Sequence, residues 1–216
     1  MAAEGARTAV SAEPAAMPER YQCRMNESHL SYLASPAWAE TLRTDLLPWL
    51  RRVADLGDDV LEIGPGPGLT TDLLLETTGR VTAVEVDPDL AAGLRERLRG
   101  SNAEIIQGDA RTVELEEGRF TAGTCFSMLH HMESPQAQDE LFARLSRLLR
   151  PGAALIGVDS LDTEMIRQGH RGDTYVPVDP DTLEARLHAA GFADVTVHRS
   201  NAHQFRFTAR KPAPSS

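Results

Sequence analysis

The sequence predicts an α/β fold in which a seven-stranded, mostly parallel sheet carries helices on both faces. Short runs of strand type alternate with segments of helical periodicity along most of the 216 residues, and this alternation is typical of right-handed βαβ units. The last two predicted strands, residues 195–198 and 204–209, are joined by a short polar segment without a helix. Because so tight a connection permits antiparallel pairing, we expect the last strand to run against the others.

The individual elements follow from local patterns. Strands are predicted where β-branched or apolar residues form short runs, and these cover residues 59–63, 80–86, 103–107, 120–128, 153–159, 195–198 and 204–209. Helices are predicted where apolar residues recur every three or four positions, and these cover residues 69–78, 89–99, 135–149 and 180–190.

Three regions are predicted along the chain. Residues 1–18 are rich in Ala, Glu, Pro and Ser without periodicity, which indicates a disordered tail. Residues 19–56 form an N-terminal helical segment, which Pro36 divides into a short helix and a longer one because the residue before a proline is held extended. Residues 57–211 contain all the predicted strands and form the main domain.

The composition narrows the function. A net charge of -10 argues against a nucleic-acid binder that works by bulk charge, because neutralising phosphates requires a basic face. Two cysteines cannot build a disulfide framework, and Cys125 lies in an apolar run that is typical of a buried residue. No apolar stretch reaches the roughly 18 residues of a membrane helix, and no signal peptide is visible. We therefore expect a cytoplasmic protein without a membrane partner.

A glycine-rich turn between the first strand and the next helix is the most informative motif. Residues 61–68 read LEIGPGPG, with glycines at 64, 66 and 68. A dinucleotide fingerprint requires G-x-G-x-x-G, and its third position here is Leu69; a P-loop is excluded because no G-K-[ST] follows. Glu62 lies beside the turn, where a carboxylate would repel a pyrophosphate and would suit a ligand that carries an ammonium group.

Two further carboxylates follow the next two strands. Glu85 comes 21 positions after Gly64, at the end of the second strand, where it can accept hydrogen bonds from two ribose hydroxyls. Asp109 follows the third strand, where it can accept one from an exocyclic amine. Three successive strand ends therefore present carboxylates suited to an ammonium, a ribose and an adenine.

These motifs resemble those of the class I S-adenosylmethionine-dependent methyltransferases. Residues 62–68 match the glycine motif of that family, (D/E)-x-G-x-G-x-G. Glu85 and Asp109 match the family's acidic residues after the second and third strands, and residues 148–152 match its turn before the fifth strand. The resemblance implies a Rossmann-like fold, S-adenosylmethionine as the cofactor and an N-terminal segment that covers it as a lid. The cofactor-binding residues that we expect are Glu62, Gly64, Gly66, Gly68, Glu85, Val86, Asp109, Ala110 and Ser127.

The resemblance also places the reacting end of the site after the fourth strand. His130 and His131 border the cofactor's methyl group there, and histidine suits proton transfer at neutral pH, so both are candidate general bases, with His131 preferred. The alternative is that one of them caps the next helix or packs beneath the cofactor. The candidate acceptor-binding residues are Asn26, His29, Asp159 and His170.

The polar cluster after the fifth strand, which includes Asp159, His170 and Asp173, could bind a divalent metal together with His131. It lacks compact ligand spacing such as H-x-x-x-H, and we expect no metal site. The chain also lacks the N/D-P-P-Y/F signature of base amino-methyltransferases, because residues 127–130 read SMLH. We therefore expect a monomer or homodimer that methylates a small-molecule acceptor and has no nucleic-acid partner.

Three other functions fit the sequence less well. One is a relative that binds S-adenosylmethionine and catalyses a rearrangement or cyclisation without methyl transfer. Another is a nicotinamide-dependent oxidoreductase, against which the glycine spacing and Glu62 both count. The last is a non-catalytic sensor that retains the cofactor pocket.

Overall fold

The computed structural model describes residues 26–213, so the predicted tail over residues 1–18 lies outside the described residues. Its centre is one seven-stranded sheet with the strand order β3-β2-β1-β4-β5-β7-β6. The strands are β1 (Asp59–Ile63), β2 (Arg80–Glu85), β3 (Ala103–Gln107), β4 (Phe120–Phe126), β5 (Leu149–Ser160), β6 (Ala193–Arg199) and β7 (Gln204–Arg210).

The pairing of the strands confirms the predicted topology. Strands β1 to β5 pair in parallel, and β7 runs antiparallel to both of its neighbours, β5 and β6. The prediction of a Rossmann-like sheet with a reversed last strand is therefore correct. The parallel strands end at one edge of the sheet, where ligands bind in open α/β folds.

Helices cover both faces of this sheet, and several begin in the same way. Asp87, Ser134 and Asp179 each accept a hydrogen bond from the first turn of a helix whose first residue is proline, which is the favoured start of an α-helix. The helices that follow the first strand are α4 (Leu69–Leu75), α5 (Pro88–Arg97), α6 (Pro135–Leu148), α7 (Glu164–Gly169) and α8 (Pro180–Ala189).

The N-terminal segment differs from the prediction. It contains α1 (Glu27–Leu33), α2 (Pro36–Thr41) and α3 (Leu47–Val53), with a π-helical turn over Leu42–Leu46 between the last two. Ser35 accepts a hydrogen bond from the Trp38 amide, so the break falls at Pro36 as predicted. The predicted longer helix is divided by the π-turn, a feature that frequently marks functional sites.

The start of β5 and two short elements also differ from the prediction. Strand β5 begins at Leu149 rather than at residue 153, because Leu149 already pairs with Phe120 and lies fully buried. Helix α7 and a short 3₁₀ turn over Leu129–His131 were not predicted. Cys125 is fully buried on β4, in the core between the sheet and helices α6 and α8. Within residues 26–213, no helix is long and apolar enough to cross a membrane.

Candidate active site

A large cavity lies beyond the carboxyl ends of β1 to β4, beneath α1, α2 and the π-turn. The space inside it, counted together with its open mouth to solvent, is about 1670 Å³. Many of the predicted site residues contribute to its wall. Those that do are Gly64, Gly66, Glu85, Val86, Asp109, Ala110, Ser127 and His131.

The glycine turn has a backbone that other residues rarely adopt. Gly64, Gly66 and Gly68 have φ angles of +64°, +56° and +86°, all in the left-handed region. A Cβ atom on Gly64 would also lie 2.9 Å from the Cβ of Met128, which is too close for a real contact. The turn therefore requires glycine for its conformation, and at Gly64 also for the close approach of the Met128 side chain.

Glu85 connects this turn to β2. Its carboxylate accepts hydrogen bonds from the backbone N–H groups of Gly66, at 3.0 Å, and Asp87, at 2.9 Å. Burial raises the pKa of this carboxyl, although the backbone hydrogen bonds oppose the shift. Each carboxylate oxygen has a second lone pair, so Glu85 can also accept from a hydroxyl in the cavity.

Glu62 lies beneath the turn rather than in the cavity wall, which corrects the prediction that it meets the ligand's ammonium group. It is 1% exposed, and its carboxyl accepts hydrogen bonds from the hydroxyls of Thr70 and Thr71, the latter at 2.7 Å. Burial raises the pKa of Glu62 to about 7, although both threonine hydrogen bonds oppose the shift. Glu62 therefore ties the start of α4 to β1, and Thr70 faces the cavity in its place.

Asp109 lines the cavity but is bound to Arg111, a residue that the sequence analysis did not select. Arg111 Nη2 donates to Asp109 Oδ2 at 2.7 Å, and the Arg111 backbone N–H donates to Oδ1 at 2.9 Å. Burial alone would raise the pKa of Asp109, but these hydrogen bonds outweigh it and lower the pKa. A bound adenine would share this carboxylate with Arg111.

Ser127 holds a strained backbone at the end of β4. Its φ angle is +53°, which is uncommon for a residue other than glycine, and its backbone N–H donates to the Val158 carbonyl at 2.7 Å. Such strain concentrates at functional sites, and here it directs the chain from β4 towards the histidines.

His130 points away from the cavity into a buried network, which argues against the prediction that it is a general base. Its Nδ1 atom lies 2.5 Å from Oδ1 of Asp159, and its Nε2 atom lies 3.0 Å from Nε2 of His170. Asp159 also accepts hydrogen bonds from the backbone N–H groups of Leu129 and Ser160. Asp159 therefore orients His130 and the turn after β4, and it does not line the cavity as an acceptor-binding residue would.

His131 faces the cavity. Its Nδ1 atom lies 3.3 Å from the Thr174 carbonyl oxygen, which can only accept, so Nδ1 carries the proton. Burial, followed by the neighbouring histidines, lowers the pKa of His131 far below its usual value. The ring is therefore neutral at physiological pH, a form that can accept a proton but holds it weakly.

Asn26 caps α1 and His29 lies on it, and both residues lie next to Asp173 in the loop after α7. The Asn26 side chain donates to Asp173 Oδ2 at 3.1 Å and to the Gly169 carbonyl at 2.9 Å, and it accepts from the His29 backbone N–H. Nδ1 of His29 lies 3.9 Å from the same Asp173 oxygen. The predicted acceptor-binding residues of α1 thus attach this helix to the loop, and His29, His130, His131 and His170 form one cluster.

Arg206 is a second cavity residue that sequence reasoning missed. It is 7% exposed on β7, lies 4.9 Å above the ring of Trp49 and forms an ion pair with Asp45 of the π-turn. Its partners are more than 150 positions away in the sequence, so no local pattern could have indicated the contact.

Comparison with known proteins agrees with this geometry. Residues 60–152 match the family model described as a methyltransferase domain. A segment is 48% identical over 83 residues to a probable ribosomal RNA small subunit methyltransferase A from Haloarcula marismortui, covering 36% of this chain and 28% of that protein. The chain thus spans about a quarter to a third of the length of its first curated relatives.

Solved structures share the fold at low sequence identity. A methyltransferase from Aquifex aeolicus that depends on S-adenosylmethionine has a TM-score of 0.70 and 18% identity, and the alignment covers 87% of this chain and all of that one. Phosphoethanolamine N-methyltransferase 2 of Haemonchus contortus, in complex with S-adenosylmethionine, has a TM-score of 0.67 and 17% identity, covering 81% of this chain and 53% of that one.

The match over residues 60–152 and the shared fold bear out the predicted resemblance to the S-adenosylmethionine-dependent methyltransferases and the prediction of S-adenosylmethionine as the cofactor. The prediction that nucleic acid is not a partner is wrong by this comparison, because the curated relatives are named as ribosomal RNA methyltransferases. Net charge averages the whole surface, so it could not exclude a local contact face for such a partner.

Proposed function

We propose that this chain transfers a methyl group from S-adenosylmethionine bound in the main cavity. The observation that carries the proposal is the glycine turn, whose left-handed backbone faces the same cavity as the Glu85 carboxylate. A bound ligand can approach such a backbone closely, and Glu85 retains acceptor capacity for two ribose hydroxyls. The cavity wall therefore fits the cofactor.

Each part of the wall has a distinct task. The glycine turn and Thr70 would hold the methionine end, Glu85 and Val86 the ribose, and Asp109 and Ala110 the adenine. When bound, S-adenosylmethionine supplies an electrophilic methyl group on a positively charged sulfur. The chain's own part is to position an acceptor in line with that group, which is a large source of catalysis in displacement reactions.

Ribosomal RNA is the acceptor class that the names of the curated relatives suggest. The similarity to them covers 28–45% of this chain, so the acceptor needs its own evidence. A small-molecule acceptor is the second candidate, because Leu30 and Leu33 of α1 line the same cavity as His131 and the predicted cofactor residues.

The test combines binding with turnover. Calorimetry should detect S-adenosylmethionine binding to the wild type and to the exposed-carboxyl control Glu116→Ala, with a clear loss in Glu85→Ala. Release of S-adenosylhomocysteine is then measured with small-subunit ribosomal RNA and, separately, with a panel of small nucleophiles. Binding of NAD(P) without S-adenosylmethionine binding would overturn the proposal. Product formed from a cognate substrate without S-adenosylhomocysteine release would instead indicate a rearrangement or cyclisation.

The cytoplasmic location and the monomeric or dimeric state of the chain remain predictions. Fractionation of the native source and sedimentation of the purified chain test them directly.

A further inference from the structure

The histidine cluster has a geometry that the methyl-transfer proposal does not explain. One ligand-type nitrogen from each of His29, His131 and His170 lies within 4.8 Å of the other two. An equilateral triangle of that side has its centre about 2.8 Å from each corner, and zinc–nitrogen bonds are about 2.0–2.1 Å. A shift of less than about 1 Å per ring, within reach of side-chain rotation, would therefore close the triangle around an ion.

We propose that His29, His131 and His170 bind one divalent transition-metal ion, with Zn²⁺ as the reference case. The three residues come from α1, the turn after β4 and the end of α7, so the site forms only in the folded chain. This dispersal explains why no compact ligand motif is present in the sequence.

Two of the three rings have surroundings that are typical of metal-binding histidines. Such histidines donate their other ring N–H to a carbonyl or carboxylate, which fixes the ring and its tautomer. Nδ1 of His170 lies 2.7 Å from the Ile166 carbonyl oxygen, and Nδ1 of His131 lies 3.3 Å from that of Thr174. The second contact assigns Nε2 of His131 to the ion. Nε2 of His170 lies 3.0 Å from Nε2 of His130, so that contact must open before His170 binds the ion. Nδ1 of His29 lies 3.9 Å from a carboxylate oxygen of Asp173.

The donor set and the local charge select the kind of ion. Imidazole suits zinc, iron, nickel and copper, whereas magnesium and calcium prefer oxygen ligands. Two carboxylates, Asp159 and Asp173, are buried around the cluster and compensate the positive charge of an ion.

Three protein ligands are typical of catalytic zinc, where a water or a substrate atom completes the coordination. His131 lines the main cavity, so the remaining position would face the space next to it. The idea that this space receives the acceptor rests on the proposed function. The binding of the ion is independent of that function.

The experiment measures metal binding to the full, untagged chain after treatment with a chelator. Calorimetry with Zn²⁺ should give one ion per chain, and Co²⁺ should give the visible absorption of a nitrogen-coordinated site. His29→Ala and His170→Ala should each weaken Zn²⁺ binding at least tenfold. The control His198→Ala, an exposed histidine on β6, should bind as the wild type does.

Several results would overturn the proposal: no stoichiometric Zn²⁺ binding, equal binding by His29→Ala and the wild type, or stronger binding of Mg²⁺ than of Zn²⁺. His29 lies on a peripheral helix, and thermal denaturation of each variant verifies that it folds. Zn²⁺ binding with no binding of S-adenosylmethionine would refute the proposed function alone. S-adenosylmethionine binding with no Zn²⁺ binding would refute the metal site alone.

Discussion

Glu62 provides a quantitative test of how burial changes the pKa of a carboxyl and the stability of the fold. Its pKa is raised to about 7 in the folded chain, from an ordinary value of 4.5. Between these two pH values the folded chain holds a proton that the unfolded chain has already lost, so the free energy of unfolding falls as pH rises through this window. At about 1.4 kcal/mol per pH unit, the shift amounts to about 3 kcal/mol.

Glu62→Gln removes this penalty, because glutamine has the shape of the protonated carboxyl and both threonine hydroxyls can donate or accept. Urea denaturation of the variant and the wild type at pH 4.5, 6 and 8 gives the difference in unfolding free energy at each pH. Relative to the wild type, the unfolding free energy of the variant should rise by about 3 kcal/mol between the lowest and the highest pH. The exposed-carboxyl control Glu116→Gln should show no such trend. A difference that stays constant with pH would refute the assignment of Glu62 as a buried, proton-holding residue.

Three further predictions concern the cofactor and acceptor sides of the site. Glu85→Ala should weaken S-adenosylmethionine binding by about 10- to 150-fold in calorimetry, because a hydrogen bond to a charged group contributes about 1.5–3 kcal/mol. Unchanged affinity would show that Glu85 does not bind the ribose. His131→Ala should lower turnover more than cofactor affinity, with the exposed His203→Ala as control; turnover equal to the wild type would exclude a role for His131 in the reaction. Ser127→Gly should be more stable than Ser127→Ala by about 1 kcal/mol in urea denaturation, because only glycine adopts a positive φ without strain. Equal stability of the two variants would contradict a strained backbone at Ser127.

The sheet and the reversal of its last strand were predictable because each strand and most helices carry their own local signal. Asp87, Ser134 and Asp179 stand directly before a proline, and each of these pairs begins a helix. The π-turn over Leu42–Leu46 had no such signal, since its residues would continue a helix equally well in sequence. Its position is associated with a distant contact, the ion pair between Asp45 and Arg206.

The cofactor half of the site was predictable for a similar reason. Glycines that must adopt positive φ and acids at strand ends are set by the local chain, so Gly64, Gly66 and Glu85 all face the cavity. The orientation of Glu62 was not predictable, because Thr70 and Thr71 draw its carboxyl beneath the turn only once α4 has packed on β1. Arg111 was missed although it lies two positions after Asp109, since a charged neighbour is common at an exposed strand end.

The acceptor half depends on contacts between segments that are far apart in sequence. Helix α1 has seven residues, too few for stability on its own, so its position depends on what it touches. Asn26 supplies those contacts by capping α1 and by binding Asp173 and Gly169 across more than 140 positions. The same arrangement brings His29 to His131 and His170, so a ligand shared by the three rings would also hold α1 over the cavity. Attachment of α1 and assembly of the histidine cluster therefore depend on the same contacts, and neither can be inferred from any single stretch of the chain.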